Sequence, residues 1–222
     1  MLYSMKPLIL INCKTYEEVS GDKGILFAKK VARVKSAKYE VAIAPPQLLL
    51  REVCSAVTLP VFAQYVDYVE YGAHTGAIVA GEVKKAGAKG VILNHSEHKL
   101  TKERLAKTVE LCRKQKLEIV ICASTVAEVK KVALLKPEYI AYEPAELIGG
   151  EVSVTTARPG VISEVVDRVR KISLRTRVLC GAGVHSRDDL YMAIRLGASG
   201  VLLAHAIVKA KDPTAVLKRM LR

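Results

Sequence analysis

The sequence predicts an α/β protein folded as a closed (β/α)8 barrel, and three observations predict it. Short apolar runs recur along the chain, as expected of parallel strands buried on both faces. Segments of helical periodicity separate most of them. Polar, chemistry-bearing residues stand directly after several runs, where α/β folds place their sites. An open, doubly wound sheet is the rival, but it needs extra strands or a second domain. The 222 residues show no linker, low-complexity segment or composition shift, so one domain over 1–222 is expected.

The elements follow in order. The first run, 7–12, carries Leu8-Ile9-Leu10-Ile11 and ends in Asn12-Cys13-Lys14. Residues 21–36 read as a helix. The second run, 39–44, stops at Pro45-Pro46, a loop signal before a short helix at 47–56. The third run is 60–64. In 65–89, Gly72, Gly76 and Gly81 imply a long loop before a helix near 76–86. The fourth run, 90–93, leads into Asn94-His95-Ser96-Glu97.

Helix 101–115 has Leu105, Val109 and Cys112 at i, i+4 and i+7, with Thr101 as N-cap and Glu103 in its first turn. The fifth run is 117–122. Thr125 and Glu128 repeat the cap logic for helix 124–134. The sixth run, 138–142, ends in Glu143-Pro144, and a helix is expected over 156–172. The seventh, 176–181, runs through Cys180-Gly181-Ala182-Gly183. Ser186 and Asp189 approximate a capping box for helix 186–196, and Gly197 supplies its stop. The eighth run, 200–203, exits through Ala204-His205-Ala206, and helix 212–221 closes the pattern.

Composition narrows the function classes. Half the residues are hydrophobic and Trp is absent, so Val, Ile, Leu and Ala must fill a sizeable core. The formal net charge of +13 permits nucleic-acid binding as a hypothesis. Yet the basic residues are spread along the chain, as at Lys29-Lys30 and Lys130-Lys131, without the interleaved aromatics of a stacking platform. A solvated surface is the reading adopted, and nucleic acid is not an expected partner. A positive field also draws in a small anionic substrate. The five cysteines show no CxxC pair or zinc-ligand spacing, which points to core thiols in a reducing cytosol and to no metal site. No secretory h-region and no membrane-length apolar stretch occurs, so a cytoplasmic, soluble protein is expected.

Three strand exits carry candidate chemistry. Alternation along a strand end aims Asn12 and Lys14 one way and Cys13 the other. A fixed Lys14 ammonium offsets charge on a substrate oxygen, although alone it reads more readily as a surface lysine after an edge strand. Ser96 or Asn94 is a plausible cap for a short helix whose positive end keeps His95 neutral, with Glu97 placed to pair with a cation. A lone His95 also fits a structural role. Glu143 follows a buried strand, where its charge is costly unless it faces a cleft. Gly149-Gly150 then suggests a hinged lid over a base, or else an ordinary strand-to-helix loop. Loops after the seventh and eighth strands, with Gly183, Ala204 and His205, fit a barrel phosphate site, although His205 alone reads as a helix-start or interface histidine.

Taken together, these residues resemble the triosephosphate isomerase family, in the short form typical of archaea. The resemblance spans essentially the whole chain through Asn12-Cys13-Lys14, Gly72-Ala73-His74-Thr75-Gly76, Asn94-His95-Ser96-Glu97, Tyr142-Glu143-Pro144, Leu147-Ile148-Gly149, Cys180-Gly181-Ala182-Gly183 and Gly200-Val201-Leu202-Leu203-Ala204. It implies a TIM barrel that interconverts dihydroxyacetone phosphate and D-glyceraldehyde 3-phosphate in glycolysis and gluconeogenesis. It implies Glu143 as the base, neutral His95 as the group polarising the carbonyl, and Lys14 with Asn12 beside the enediolate. Ile148, Gly149, Gly183, Ala204 and His205 would hold the substrate under a lid over 145–153. Glu97 would support the site. Thr75 would contact a neighbouring subunit of a homodimer or homotetramer. No metal or organic cofactor is implied. Ala204-His205 departs from the Gly-Gly or Ala-Ser found at that place in the family.

Overall fold

In the computed structural model, which describes residues 6–144 and 159–222, each apolar run forms a strand. These are β1 (Leu8–Asn12), β2 (Glu40–Ala44), β3 (Phe62–Ala63), β4 (Gly90–Leu93), β5 (Glu118–Ala123), β6 (Tyr139–Tyr142), β7 (Arg177–Cys180) and β8 (Gly200–Leu203). They pair in parallel in one eight-stranded sheet of order β2-β1-β8-β7-β6-β5-β4-β3. A parallel bridge from Ile43 to Val61 joins the two ends of that order and closes the cylinder. The (β/α)8 barrel expected from the sequence is the observed fold.

Strand alternation divides the core in two. Leu8, Leu10, Phe62, Ile92, Val120, Cys122, Tyr139, Leu179 and Leu202 fill the barrel interior. Their neighbours Ile9, Ile11, Val91, Leu93, Ile119, Ile121, Ile140, Val178 and Val201 face outward and pack under the helices. Both faces are dry, which explains why the runs are continuously apolar rather than alternating. Continuing the inward parity to the carboxyl ends of six of the strands, β1, β3, β4, β6, β7 and β8, selects Asn12, Gln64, Asn94, Glu143, Gly181 and Ala204. All six stand at the carboxyl end of the barrel. At the β1–β8 seam the backbones meet so closely that a Cβ on Gly200, whose φ is +140°, would lie 2.0 Å from the Leu8 carbonyl oxygen.

The surrounding helices are α1 (Gly21–Ala32), α2 (Leu50–Ala56), α3 (Ala80–Lys85), α4 (Lys102–Lys114), α5 (Val126–Ala133), α6 (Pro159–Ile172), α7 (Arg187–Arg195), α8 (His205–Val208) and α9 (Pro213–Met220). The expected caps form: Thr101 accepts from the Arg104 N–H, Thr125 from the Glu128 N–H, and Ser186 and Asp189 make a reciprocal capping box. The α3 helix starts later than the glycine pattern suggests. Gly76, at φ +85°, turns the loop tip, and Ile78 is held by Asp67 through Asp67 N–H to Ile78 O at 2.9 Å and Ile78 N–H to Asp67 Oδ2 at 2.8 Å. Those bonds keep the chain extended up to Val79. No helix among the described residues is long and apolar enough to cross a membrane.

Candidate active site

The carboxyl ends of the strands surround a cleft. Asn12, Lys14, His95, Glu143, Gly181, Gly183, Ala204 and His205 line it, together with Tyr16 and His185.

Lys14 is held at both its backbone and its tip. Its backbone is left-handed, at φ 49°, and its N–H donates to Asn12 Oδ1 at 3.0 Å. Gln64, just beyond β3, donates through Nε2 to the Lys14 carbonyl at 2.9 Å and to the Ala44 carbonyl at 3.0 Å. The ammonium lies 2.6 Å from Glu97 Oε1, and the lysine side chain is mostly buried while the glutamate's is half exposed. Cys13 turns away into the outer core, as the alternation requires, and burial pushes its thiol pKa up.

His95 is buried on a turn, not on the short helix expected from Asn94 and Ser96. The His98 N–H donates to the His95 carbonyl at 2.8 Å, closing a four-residue turn, and the next helix starts only at Lys102. Asn94 is otherwise engaged. Its amide donates to Cys122 O at 2.9 Å and Glu128 Oε1 at 2.8 Å, and its oxygen accepts from the Leu100 N–H at 3.0 Å. The neutral state of His95 therefore has a different origin from a helix dipole. Burial is the main cause lowering its pKa from 6.5 to about 4; nearby Glu97 opposes the shift, and Lys14 and Lys99 reinforce it. The Glu97 N–H donates to Nδ1 at 3.2 Å, which leaves Nε2 as the ring N–H.

That Nε2 lies 3.7 Å from Glu143 Oε1. Glu143 is 3 % exposed, and its Oε2 has no hydrogen-bond partner among the described residues. Burial raises its pKa from 4.5 to about 7, with the neighbouring Cys122 thiol and the Lys14 charge pulling the other way. Gly181 makes room for the carboxylate: a Cβ there would lie 2.3 Å from Glu143 Cγ. A base with this pKa, an uncharged N–H donor and an ammonium around one cleft can take a proton from carbon, stabilise the resulting oxyanion and return the proton.

Past β7, Gly183 takes φ +65°, and past β8, Ala204 immediately precedes α8, whose first residue is His205. These strand exits line the same cleft as Glu143, and the first N–H groups of a helix have no intrahelical partner. Thr75 stands apart, exposed at the tip of the loop between β3 and α3. Ile148, Gly149 and the proposed lid over 145–153 lie outside the described residues. Gln64 and Cys122 were not singled out by the motif reading, and Gly181 was quoted only within Cys180-Gly181-Ala182-Gly183, with no role of its own. The strand parity that marks Asn12 and Glu143 also marks Gln64 and Gly181, and it puts Cys122 one layer below Glu143. Among the described residues, no cluster of His, Cys, Asp and Glu has the arrangement of a metal site.

A parallel barrel with an acid–base constellation at its carboxyl end belongs to the class of (β/α)8 enzymes that bind a small substrate over the strand ends. The sequence comparison narrows the class. A family model described as triosephosphate isomerase matches residues 7–220. The chain is 44% identical to the triosephosphate isomerase of Metallosphaera sedula over 95% of its own length and 92% of the relative's. It is 38% identical to that of Methanocaldococcus jannaschii, over 97% and 99% of the two chains, and 41% identical to that of Methanoculleus marisnigri, over 96% of each. The chain belongs to the triosephosphate isomerase family, enzymes that isomerise a triose phosphate.

Proposed function

We propose that the chain interconverts dihydroxyacetone phosphate and D-glyceraldehyde 3-phosphate by proton transfer through an enediolate, with Glu143 as the base. The supporting observation is the juxtaposition of Glu143 Oε1 and His95 Nε2 at 3.7 Å in the same cleft as Lys14. Ionised Glu143 removes the proton from the carbon beside the carbonyl and returns it to the neighbouring carbon. Its pKa of about 7 suits it to both halves of that cycle at neutral pH. His95, held neutral by burial, donates Nε2–H to the substrate oxygen on which charge develops and shuttles protons between the two oxygens. Lys14, steadied by Glu97 and Asn12, offsets the charge of the enediolate and the phosphate. Backbone N–H groups at Gly149, Gly183, Ala204 and His205 hold the phosphate, with Ile148 and the lid excluding water. Both hydrogens of the product come from substrate or solvent, so the scheme requires neither a metal ion nor an organic cofactor.

The same reading places the enzyme in the cytoplasm, in glycolysis and gluconeogenesis, as a single domain over 1–222. It assembles as a homodimer or homotetramer, with Thr75 on its exposed loop reaching a second copy. The +13 charge serves solubility and substrate attraction rather than nucleic-acid binding, so added duplex DNA leaves turnover unaltered. The direct test is a coupled assay of glyceraldehyde 3-phosphate isomerisation on purified protein, with Glu143→Gln alongside. Wild-type turnover and its loss in the variant are expected. An inactive wild type, or an active variant, removes the assignment.

A further inference from the structure

The carboxyl end of β3 is followed by two consecutive residues whose side chains contact segments that carry the site. Gln64 holds the left-handed backbone of Lys14 and ties it to β2. Tyr65, the next residue, lays its ring on the His98 imidazole with centroids 3.9 Å apart and planes within 13°. The tyrosine is anchored in turn: its hydroxyl donates to Asp67 Oδ1 at 3.0 Å, while Asp67 Oδ2 accepts from the Ile78 N–H at 2.8 Å. His98 closes the turn that carries the site, donating its N–H to the His95 carbonyl at 2.8 Å. Within that turn the Glu97 N–H meets His95 Nδ1, and the Glu97 carboxylate meets Lys14 Nζ. A continuous chain of contacts therefore runs from the base of the exposed loop through Tyr65 and His98 to His95, Glu97 and Lys14.

We propose that Tyr65, through its stack on His98, is a positioning residue for the isomerisation: it fixes the turn 95–98 so that His95 keeps its Nε2–H aimed at the substrate oxygen. The physical need is clear from the turn itself. Residues 95–98 lie in no helix or strand, Glu97 and His98 are exposed, and one main-chain bond closes the turn. A site of this kind keeps its geometry only if a supporting layer locks its rotamers. The flat ring of Tyr65 supplies that lock for the turn, while Gln64 separately fixes the backbone of Lys14. The inference rests on the isomerase reading above and adds to it a residue outside the cleft lining.

The test compares Tyr65→Ala, Tyr65→Phe, His98→Ala and the Tyr65→Ala/His98→Ala double variant in the coupled assay, with 15N resonances of the His95 ring as a second readout. Tyr65→Ala is expected to lower kcat by about ten-fold with little change in KM, since sub-ångström loosening of a reacting group costs rate more than binding. Tyr65→Phe keeps the ring and recovers most of the loss. His98→Ala matches Tyr65→Ala, and the double variant is no worse than either single one. The His95 Nδ1 and Nε2 resonances move toward each other in the alanine variants as the fixed tautomer is released. The proposal is overturned by wild-type kcat in Tyr65→Ala, by a loss that Tyr65→Phe fails to recover, or by effects that multiply in the double variant. Should Tyr65→Ala not fold, His98→Ala alone decides, because its side chain is exposed. An inactive wild type would end the isomerase reading, whereas the resonances would still judge the brace.

Discussion

Replacing Gly181 by alanine tests the geometry of the site more sharply than deleting any reacting group. The new Cβ would stand 2.3 Å from Glu143 Cγ, 3.0 Å from Cδ and 3.1 Å from Oε1. Ordinary carbon–carbon contact begins near ~3.5 Å, so the Glu143 side chain must retreat by roughly 1 Å or more. The backbone of Gly181 is outside the left-handed region, so alanine fits it without strain. The obstacle is the side chain of a glutamate that borders a cleft, and it can swing aside. Stability should therefore fall only by about 1 kcal/mol, the low end for overpacking. Rate should fall far more, since a misplacement of about 1 Å costs roughly 10²-fold. The glutamate also moves toward solvent, which lessens the burial that raises its pKa to about 7. The acid limb of kcat/KM should shift to lower pH. A pH series in the coupled assay, with thermal unfolding as control, reads both effects. A variant within two-fold of wild-type kcat and with an unmoved acid limb would refute the close packing of Gly181 on Glu143.

Lys14→Ala should raise KM and lower kcat roughly 10²-fold, because phosphate and enediolate are both anionic; normal kinetics would remove the ammonium from the mechanism. Glu143 also links folding to pH. Its folded pKa is raised from 4.5 to about 7, so its stabilising contribution is complete below pH 4.5 and is lost as pH rises through 7. That loss amounts to about 3 kcal/mol. His95 runs oppositely: with its pKa lowered from 6.5 to about 4, its contribution is complete above pH 6.5 and is lost as pH falls through 4. Urea unfolding of wild type and Glu143→Gln from pH 4.5 to 8 separates the two, and parallel curves would contradict the carboxyl's raised pKa. Finally, Gly200→Ala puts a Cβ against the Leu8 backbone at φ +140° and should cost about 3 kcal/mol or more, read as a lowered unfolding midpoint. An unchanged midpoint would show that the β1–β8 seam is looser than described.

The sequence by itself determined the order of strands and helices, because apolar runs, caps and glycine stops are local signals that the fold obeys. Helix α4 lies within one residue of its expected limits at each end, and the box at Ser186 and Asp189 forms in full. Strand parity was equally local, so Asn12, Lys14 and Glu143 were recognisable as residues aimed at the carboxyl end of a barrel. What those residues meet was not local. Nothing in Asn94-His95-Ser96-Glu97 reveals that Asn94 is committed to Cys122 and Glu128, or that a turn replaces the short helix. The contact of Gly181 with Glu143, the grip of Gln64 on Lys14 and the ring of Tyr65 on His98 join segments far apart in the chain. The pKa values of His95 and Glu143 depend chiefly on burial, which exists only once the strands have closed around them. Local patterning chooses the elements, whereas distances between side chains on different strands, and the exclusion of water around them, arise only from tertiary packing.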